Sequence, residues 1–544
     1  MNQQVLINQV YRHLPFKDSF SVHRGNVTVL VTPMPLEGCH AYLHMNADSY
    51  SGRLPGLNIL FLHEPIVVLP GHYSHQVWQH FDYILTHYNK IIEIDTTKFR
   101  KVPFPRTTFI NPPPITEDQK ERTNKYPLEN RLNAICMVNG NKRSLVPGEL
   151  YSKRLEAALW FHLYSDLPFD VYGNPPFNLP NYKGILPKEV RFETIARYKY
   201  YFCLENIDHP IYSVGYVDKI YDCLETRTLP IYLGAPDVEK YIPPGCFINF
   251  RKFKNYRELD KYLQNLDDQT YLEYIRNIDQ WVAQGGLRPL SMYAIHEYIV
   301  DLLISEKRIP PLDFFGESSE WSPDVTPELK EHRWNPVTDK TFWTYECLSQ
   351  AHSPLMDYDK EKSAITTSNR HYLKKIGYLR QNNNSSKASQ ELEKLFLNGT
   401  FNSELVYQQA QLFIDMSRFE ESRNRLKQVL MMNPCHSLAL NDLGGLCMLK
   451  KDYVKAVELL HAALSNNVRN NQALENLISL LLSLNFKDYL AELIQKLTPL
   501  RAGDNDFLAI LKKYNLTSSP ENNKSSVELK PIPEEDGSLG HGIC

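Results

Sequence analysis

The sequence predicts an α/β protein of two Rossmann-like domains followed by an all-α tetratricopeptide-like solenoid. Three observations carry that reading. Short apolar strands alternate with longer amphipathic segments through about the first 300 residues, the pattern of parallel sheets with helices on both faces. A Pro-rich stretch, "KVPFPRTTFINPPPITEDQKERTNKYP" (101–127), interrupts the alternation. Beyond residue 402 a pattern of small, apolar and aromatic residues recurs at a spacing of 34. A chain of 544 residues also exceeds the roughly 250–300 that one core fills.

The first half, residues 1–125, holds the strand-like runs "VTVLVT" (27–32), "LNILFL" (57–62) and "FDYILTH" (81–87). Proline in 101–127 favours an extended, poorly helical connection, read as the joint between the halves. The second half, 126–305, holds "NAICMV" (133–138), "FDVYG" (169–173), "YKYYFCLEN" (198–206), "LPIYLG" (229–234) and "CFINF" (246–250). Helical patterns cover 148–166 and 256–282. Ligands of open α/β sheets collect at the carboxyl ends of their strands, so a cleft between two such halves is the expected binding place.

Residues 306–370 lose any clear period and read as a linker; the acid pair Asp357 and Asp359 within it reads as surface. The repeats occupy 371–515. Ala410 falls on Gly444, Phe419 on Tyr453, Leu426 on Leu460 and Leu430 on Leu464, which puts small residues where helices touch and an aromatic at the turn. A looser copy covers 469–500 with Phe486 at the aromatic place, and 371–399 is an irregular first copy. Such solenoids hold a peptide or protein on their concave side; self-association is the other use. The polar tail, 516–544, reads as disordered.

A net charge of −3 gives no bulk attraction to nucleic acid or acidic membranes. The nine cysteines form no CxxC and no zinc-spaced cluster; Cys136, Cys203, Cys223 and Cys246 sit in apolar runs, as free thiols in a reducing compartment do. There is no secretory-signal profile at the amino terminus and no run of the ~20 apolar residues a membrane span needs. The expectation is a cytoplasmic protein. GxGxxG, GxxxxGK[ST] and GxSxG are all missing, so dinucleotide redox, P-loop and α/β-hydrolase chemistry lack their signals.

One stretch offers chemistry. "SVGYVDKIYDCLETRTLPIYLGAP" (213–236) sets Asp218 and Lys219 at the mouth of a helix leading into a short strand. Alone, such a pair is solvated surface worth at most ~1 kcal/mol. Placed in a cleft, a carboxylate accepts from a ribose diol, while an ammonium and a helix amino terminus hold a diphosphate.

Together, "YKYYFCLENIDHPIYSVGYVDKIYDCLETRTLPIYLGAP" (198–236), "YIPPGCFINFRKFKNYRELDKYL" (241–263) and "NGNKRSLVPGELYSKRLEAALWFHLYSDLPFDVYGN" (139–174) resemble the α1,3-fucosyltransferase family, glycosyltransferase family 10, and its bacterial members in particular. The resemblance is specific over about 133–283, weaker before that, and does not reach the repeats. It implies a GT-B arrangement and inverting transfer of fucose from GDP-fucose to a hydroxyl of a glycan or glycoconjugate, with no obligatory cofactor or metal. Carried over residue by residue, Asp218 holds the ribose, Lys219 the diphosphate, and Arg154 the diphosphate as it leaves; Asn206 and Tyr216 are donor contacts. Glu205 is either a donor contact or structural. In "NILFLHEPIVV" (58–68) the resemblance makes Glu64 the general base, with His63 its rival. Three departures stand out: Asp218 replaces a Glu, Val217 a Thr, and Ile207 a small polar residue. A transferase with another nucleotide-sugar donor, or an inactive glycan-binding scaffold acting through its repeats, are the alternatives.

Overall fold

Apolar runs decide where most strands fall. The computed structural model describes residues 4–11, 20–102, 104, 118–144, 146, 148–210, 213–287, 289, 291–309, 322–323 and 367–516; most of the 306–370 linker, with Asp357 and Asp359, and the tail after 516 lie outside them. The strands are β1 (Val5–Val10), β2 (Phe20–Arg24), β3 (Val27–Thr32), β4 (Ala41–Met45), β5 (Leu57–Phe61), β6 (Tyr83–Thr86), β7 (Phe99–Lys101), β8 (Leu132–Val138), β9 (Phe169–Tyr172), β10 (Tyr182–Gly184), β11 (Tyr198–Leu204), β12 (Leu229–Leu233), β13 (Ile248–Asn249) and β14 (Ser322–Pro323).

They form two sheets, ordered β14-β2-β3-β1-β4-β5-β6-β7 and β10-β9-β8-β11-β12-β13. Every pairing is parallel except β2 with β3 and β14 with β2. In the first sheet β1, β2, β4 and β7 add to the expected runs. Polar residues hid β1: Asn8 is fully buried, its Nδ2 donating to Leu30 O at 3.0 Å and Thr32 Oγ1 at 2.9 Å while its Oδ1 accepts from Leu36 N at 2.8 Å. A buried amide so satisfied breaks an apolar run without breaking the strand.

The helical pattern at 148–166 becomes the Tyr151–Tyr164 helix. The one expected over 256–282 is two helices, Tyr256–Gln264 and Asp268–Ala283, because Asp267 starts the second by accepting from Thr270 N at 2.8 Å. The Pro-rich joint is not wholly extended. Its last part forms the Asp118–Lys125 helix, where buried Arg122 donates to Leu224 O at 2.9 Å and Glu225 O at 3.0 Å. The Met292–Ser305 helix follows the second half in sequence but packs on the first sheet, Ile295, Ile299 and Leu303 lying among Val5, Ile7 and Leu43. His296 Nε2 sits 2.7 Å from Gln9 Oε1, and Arg24 pairs with Glu297. The halves also share a cluster in which Ile66, Tyr88 and Phe104 meet Val146, Tyr151, Ile207 and Tyr216. Segments that follow the strands of the two sheets therefore pack against one another; ligands of such sheets collect at the switch points, here β1/β4 and β8/β11.

Helical hairpins fill 367–516. Their register is 34 residues: Asn402, His436 and Asn470 cap every second helix with their side chains, and Asn383, Ser417, Lys451 and Asn485 all turn through positive φ. The irregular first copy thus keeps the period. Gly444 lies where a Cβ would come 3.0 Å from Leu460, the reason for a small residue there. The aromatics at the turn are not core: Phe419, Tyr453 and Phe486 are all exposed. The array is packed onto the second half. Trp160 Nε1 donates to Phe396 O at 2.6 Å, Arg257 Nε to Leu397 O at 2.9 Å and Tyr256 N to Gly399 O at 3.4 Å. One hydrophobic core runs from β8 through to Leu511.

Candidate active site

Arg154 occupies the first turn of the Tyr151–Tyr164 helix and is 2 % exposed. Its position is fixed from before the helix: Gly148, at φ +82°, lies so close to Asp208 O that no side chain would fit, and Glu149 pairs as a bridge with Ile207. Arg154 Nη2 donates to Leu204 O at 2.8 Å, Glu205 O at 2.6 Å and Asn206 Oδ1 at 3.0 Å. The guanidinium is thereby riveted to the carboxyl end of β11. Burial pulls its pKa down, opposed by nearby Tyr151 and Glu205, and a guanidinium keeps its charge regardless. Asn206 Nδ2 in turn donates to Tyr216 Oη at 3.0 Å, so Arg154, Asn206 and Tyr216 form one hydrogen-bonded chain. Tyr216 is 1 % exposed and packs its ring against His87 and Phe104 of the first half.

Glu205 resolves its two readings toward architecture. Its Oε1 accepts from Asp218 N at 2.8 Å and Lys219 N at 3.0 Å. The helix that follows is only Ile220–Glu225. The N–H groups of Asp218 and Lys219 at its mouth are therefore taken by Glu205. Burial, then the Asp218 charge, raises the Glu205 carboxyl to about 7. The Asp218 and Lys219 side chains are 32 % and 18 % exposed, with Lys219 Nζ 3.9 Å from Asp218 Oδ2; burial lowers the Lys219 pKa and the Asp218 charge raises it. Val217 is in the core and Ile207 is fully buried in the cluster between the halves. Two of the three departures thus fall on packing positions.

Glu64 lies just beyond β5, its N–H donating to Asn46 Oδ1 at 2.8 Å and its O accepting from Tyr73 Oη at 2.8 Å. Burial raises the pKa of Tyr151 and of Tyr216 in the second half, and the Glu64 charge adds to both. Tyr11, at the end of β1, is held up at about 12 by burial and by Glu64, Asp48 and Asp218. His63 is buried and stacked on Phe104, ring centres 4.9 Å apart. Among the described residues, no three His, Cys, Asp or Glu gather as metal ligands.

Residues 150–292 match the family model described as glycosyltransferase family 10 (fucosyltransferase) C-term. That segment, about a quarter of the chain, is what the match covers. It contains Arg154, Asn206, Tyr216, Asp218 and Lys219, whereas Glu64 lies outside it. The chain is similar to the 3-galactosyl-N-acetylglucosaminide 4-alpha-L-fucosyltransferase of Pan troglodytes, 34% identical over 158 residues, 28% of this chain and 38% of that protein. It is 35% identical over 134 residues to the 4-galactosyl-N-acetylglucosaminide 3-alpha-L-fucosyltransferase of Homo sapiens, covering 24% and 33%. The chain thus spans little more than a third of the curated relatives it matches. Among solved structures, an α1,3-fucosyltransferase with GDP aligns over 50% of this chain and 82% of its own at 17% identity and a TM-score of 0.33. MamA aligns over 26% and 85% at 16% identity and a TM-score of 0.22.

Proposed function

We propose that this protein is an inverting, α1,3-type fucosyltransferase that moves L-fucose from GDP-fucose to a hydroxyl of a glycan or glycoconjugate. The observation that carries the reading is the chain Arg154–Asn206–Tyr216, bonded to the carboxyl end of β11 inside the matched segment. Glu64 takes the proton of the acceptor hydroxyl as its oxygen attacks the anomeric carbon from the face opposite GDP. Arg154 and Lys219 hold the diphosphate and balance the charge that builds on it as it leaves, the preorganised electrostatics that dominates many rate enhancements; this needs no obligatory metal. Asp218 accepts from the ribose hydroxyls. Seven described cysteines carry free thiols, which suits a reducing, cytoplasmic setting. No helix among the described residues is long and apolar enough to cross a membrane.

The repeats supply a second surface for an acceptor or partner. Tyr407 Oη donates to Asp442 Oδ2 at 2.9 Å, Asn441 Nδ2 to Asp442 Oδ1 at 3.0 Å and Asn476 Nδ2 to Asn441 Oδ1 at 2.9 Å. This polar ladder joins the first helices of three successive repeats. Incubation with several nucleotide sugars and a panel of acceptors, read by mass, tests the function. Transfer of one deoxyhexose from GDP-fucose supports it; transfer only from a UDP- or CDP-sugar, or none at all, refutes it.

A further inference from the structure

Buried polar atoms without partners are rare, and leaving one unsatisfied costs on the order of 1–3 kcal/mol. Three side chains carrying such atoms gather at the β8/β11 switch point. Asn139, which directly follows β8, is 6 % exposed, and neither its Nδ2 nor its Oδ1 has a partner. Tyr151, which opens the Tyr151–Tyr164 helix, is 4 % exposed with an unpartnered Oη. Arg154, one turn on, has an unpartnered Nε, and its guanidinium carbon lies 4.9 Å from the centre of the Tyr151 ring.

The three belong to one place. Tyr201 Oη donates to Val138 O at 2.9 Å and accepts from Val138 N at 3.2 Å, immediately before Asn139, and the parallel register that sets Cys136 beside Tyr201 carries Asn139 level with Leu204, whose O accepts from Arg154 Nη2. Packing alone does not explain these atoms, since a phenylalanine would fill the space of Tyr151 and still lie against Arg154. Their chemistry differs in a useful way. Tyr151 O–H and Arg154 Nε–H are two donors beside a guanidinium whose Nη2 is already committed to β11, a set suited to anionic oxygens. The Asn139 carboxamide is neutral and offers a donor and an acceptor side by side, a complement to the polar edge of a base or sugar.

We propose that Tyr151 and Asn139 complete the donor pocket, Tyr151 Oη donating with Arg154 Nε to the diphosphate and the Asn139 carboxamide hydrogen-bonding the nucleoside. This rests on the donor reading given above and gives a role to two residues to which the resemblance assigned none. Tyr151→Phe and Asn139→Ala in the full chain, titrated calorimetrically with GDP and with guanosine, separate the two contacts. Tyr151→Phe is expected to weaken GDP about ten- to a hundredfold and to leave guanosine unchanged. Its ligand-free Tm should equal or exceed the wild type, because an unsatisfied hydroxyl is gone. Asn139→Ala is expected to weaken GDP and guanosine by one common factor of roughly tenfold. Tyr151→Phe that binds GDP as the wild type does, loses guanosine in step with GDP, or unfolds at lower temperature overturns the Tyr151 assignment. Unchanged guanosine affinity in Asn139→Ala overturns the other. A wild-type protein that binds no GDP strikes down the donor reading itself, whereas a binding wild type with two unaltered variants strikes down this inference alone.

Discussion

Arg154 is asked to do two things at once, and substitution separates them. Its Nη2 serves Leu204 O, Glu205 O and Asn206 Oδ1, while Nε makes no bond within the protein. Arg154→Ala removes three buried hydrogen bonds at a net value of about 1 kcal/mol each, about 3 kcal/mol in all. At about 2–4 °C per kcal/mol, Tm should fall by about 6–12 °C. The diphosphate donor is lost with it, and kcat should fall about 10²–10³-fold. Arg154→Lys distinguishes the roles. An ammonium can satisfy the three oxygens from one atom, so Tm should drop by only about 1 kcal/mol's worth. It then has no second nitrogen for the phosphate, and kcat should remain about 10²-fold down. Thermal melts and steady-state kinetics, run well below each variant's melting temperature, read both. A lysine variant turning over at the wild-type rate would confine Arg154 to architecture.

Glu64→Gln keeps the shape of the side chain and removes the base; kcat should fall about 10²–10⁴-fold with Tm unchanged, and unaltered turnover takes Glu64 out of that role. Glu205, raised to about 7 by burial and Asp218, binds its proton more tightly in the folded state than in the unfolded chain at about 4.3. Its contribution to stability is full below about 4.3 and lost as pH rises through about 7; the Tm of Glu205→Gln should therefore decline less than that of the wild type between these values, and parallel curves would contradict the assignment. Gly399 turns at φ +83° where a Cβ would strike the Arg257 and Tyr256 backbone. Gly399→Ala should loosen the repeats from the second half and split one calorimetric transition into two, and a single unshifted transition would rule this out.

How much of this could be read in advance varied with the source of burial. β3 matches its apolar run residue for residue, and β11 lies within its own. β1 and β4 escaped because Asn8, Gln9 and His44 are buried polar residues whose satisfaction depends on contacts far along the chain. The return of the Met292–Ser305 helix to the first sheet is likewise a long-range event with no local signature. A motif brackets Arg154, Asn206, Tyr216, Asp218 and Lys219 in the sequence, and the structure brings them to one edge. That Glu205 occupies the N–H groups of Asp218 and Lys219 was not legible, since a Glu–Asn pair reads the same whether its carboxylate faces a ligand or the main chain. Tyr151 and Asn139 stood out only once their buried polar atoms proved unpartnered.

The claim beneath all of this is that the crevice between the two sheets grips a GDP-sugar through Arg154 and Lys219. Calorimetric titration of the wild type, Arg154→Ala and Lys219→Ala with GDP, UDP and CDP addresses it directly. Heat with GDP alone, lost in both variants, is the expected result; equal binding of all three nucleotides, or GDP binding untouched by either substitution, would contradict it.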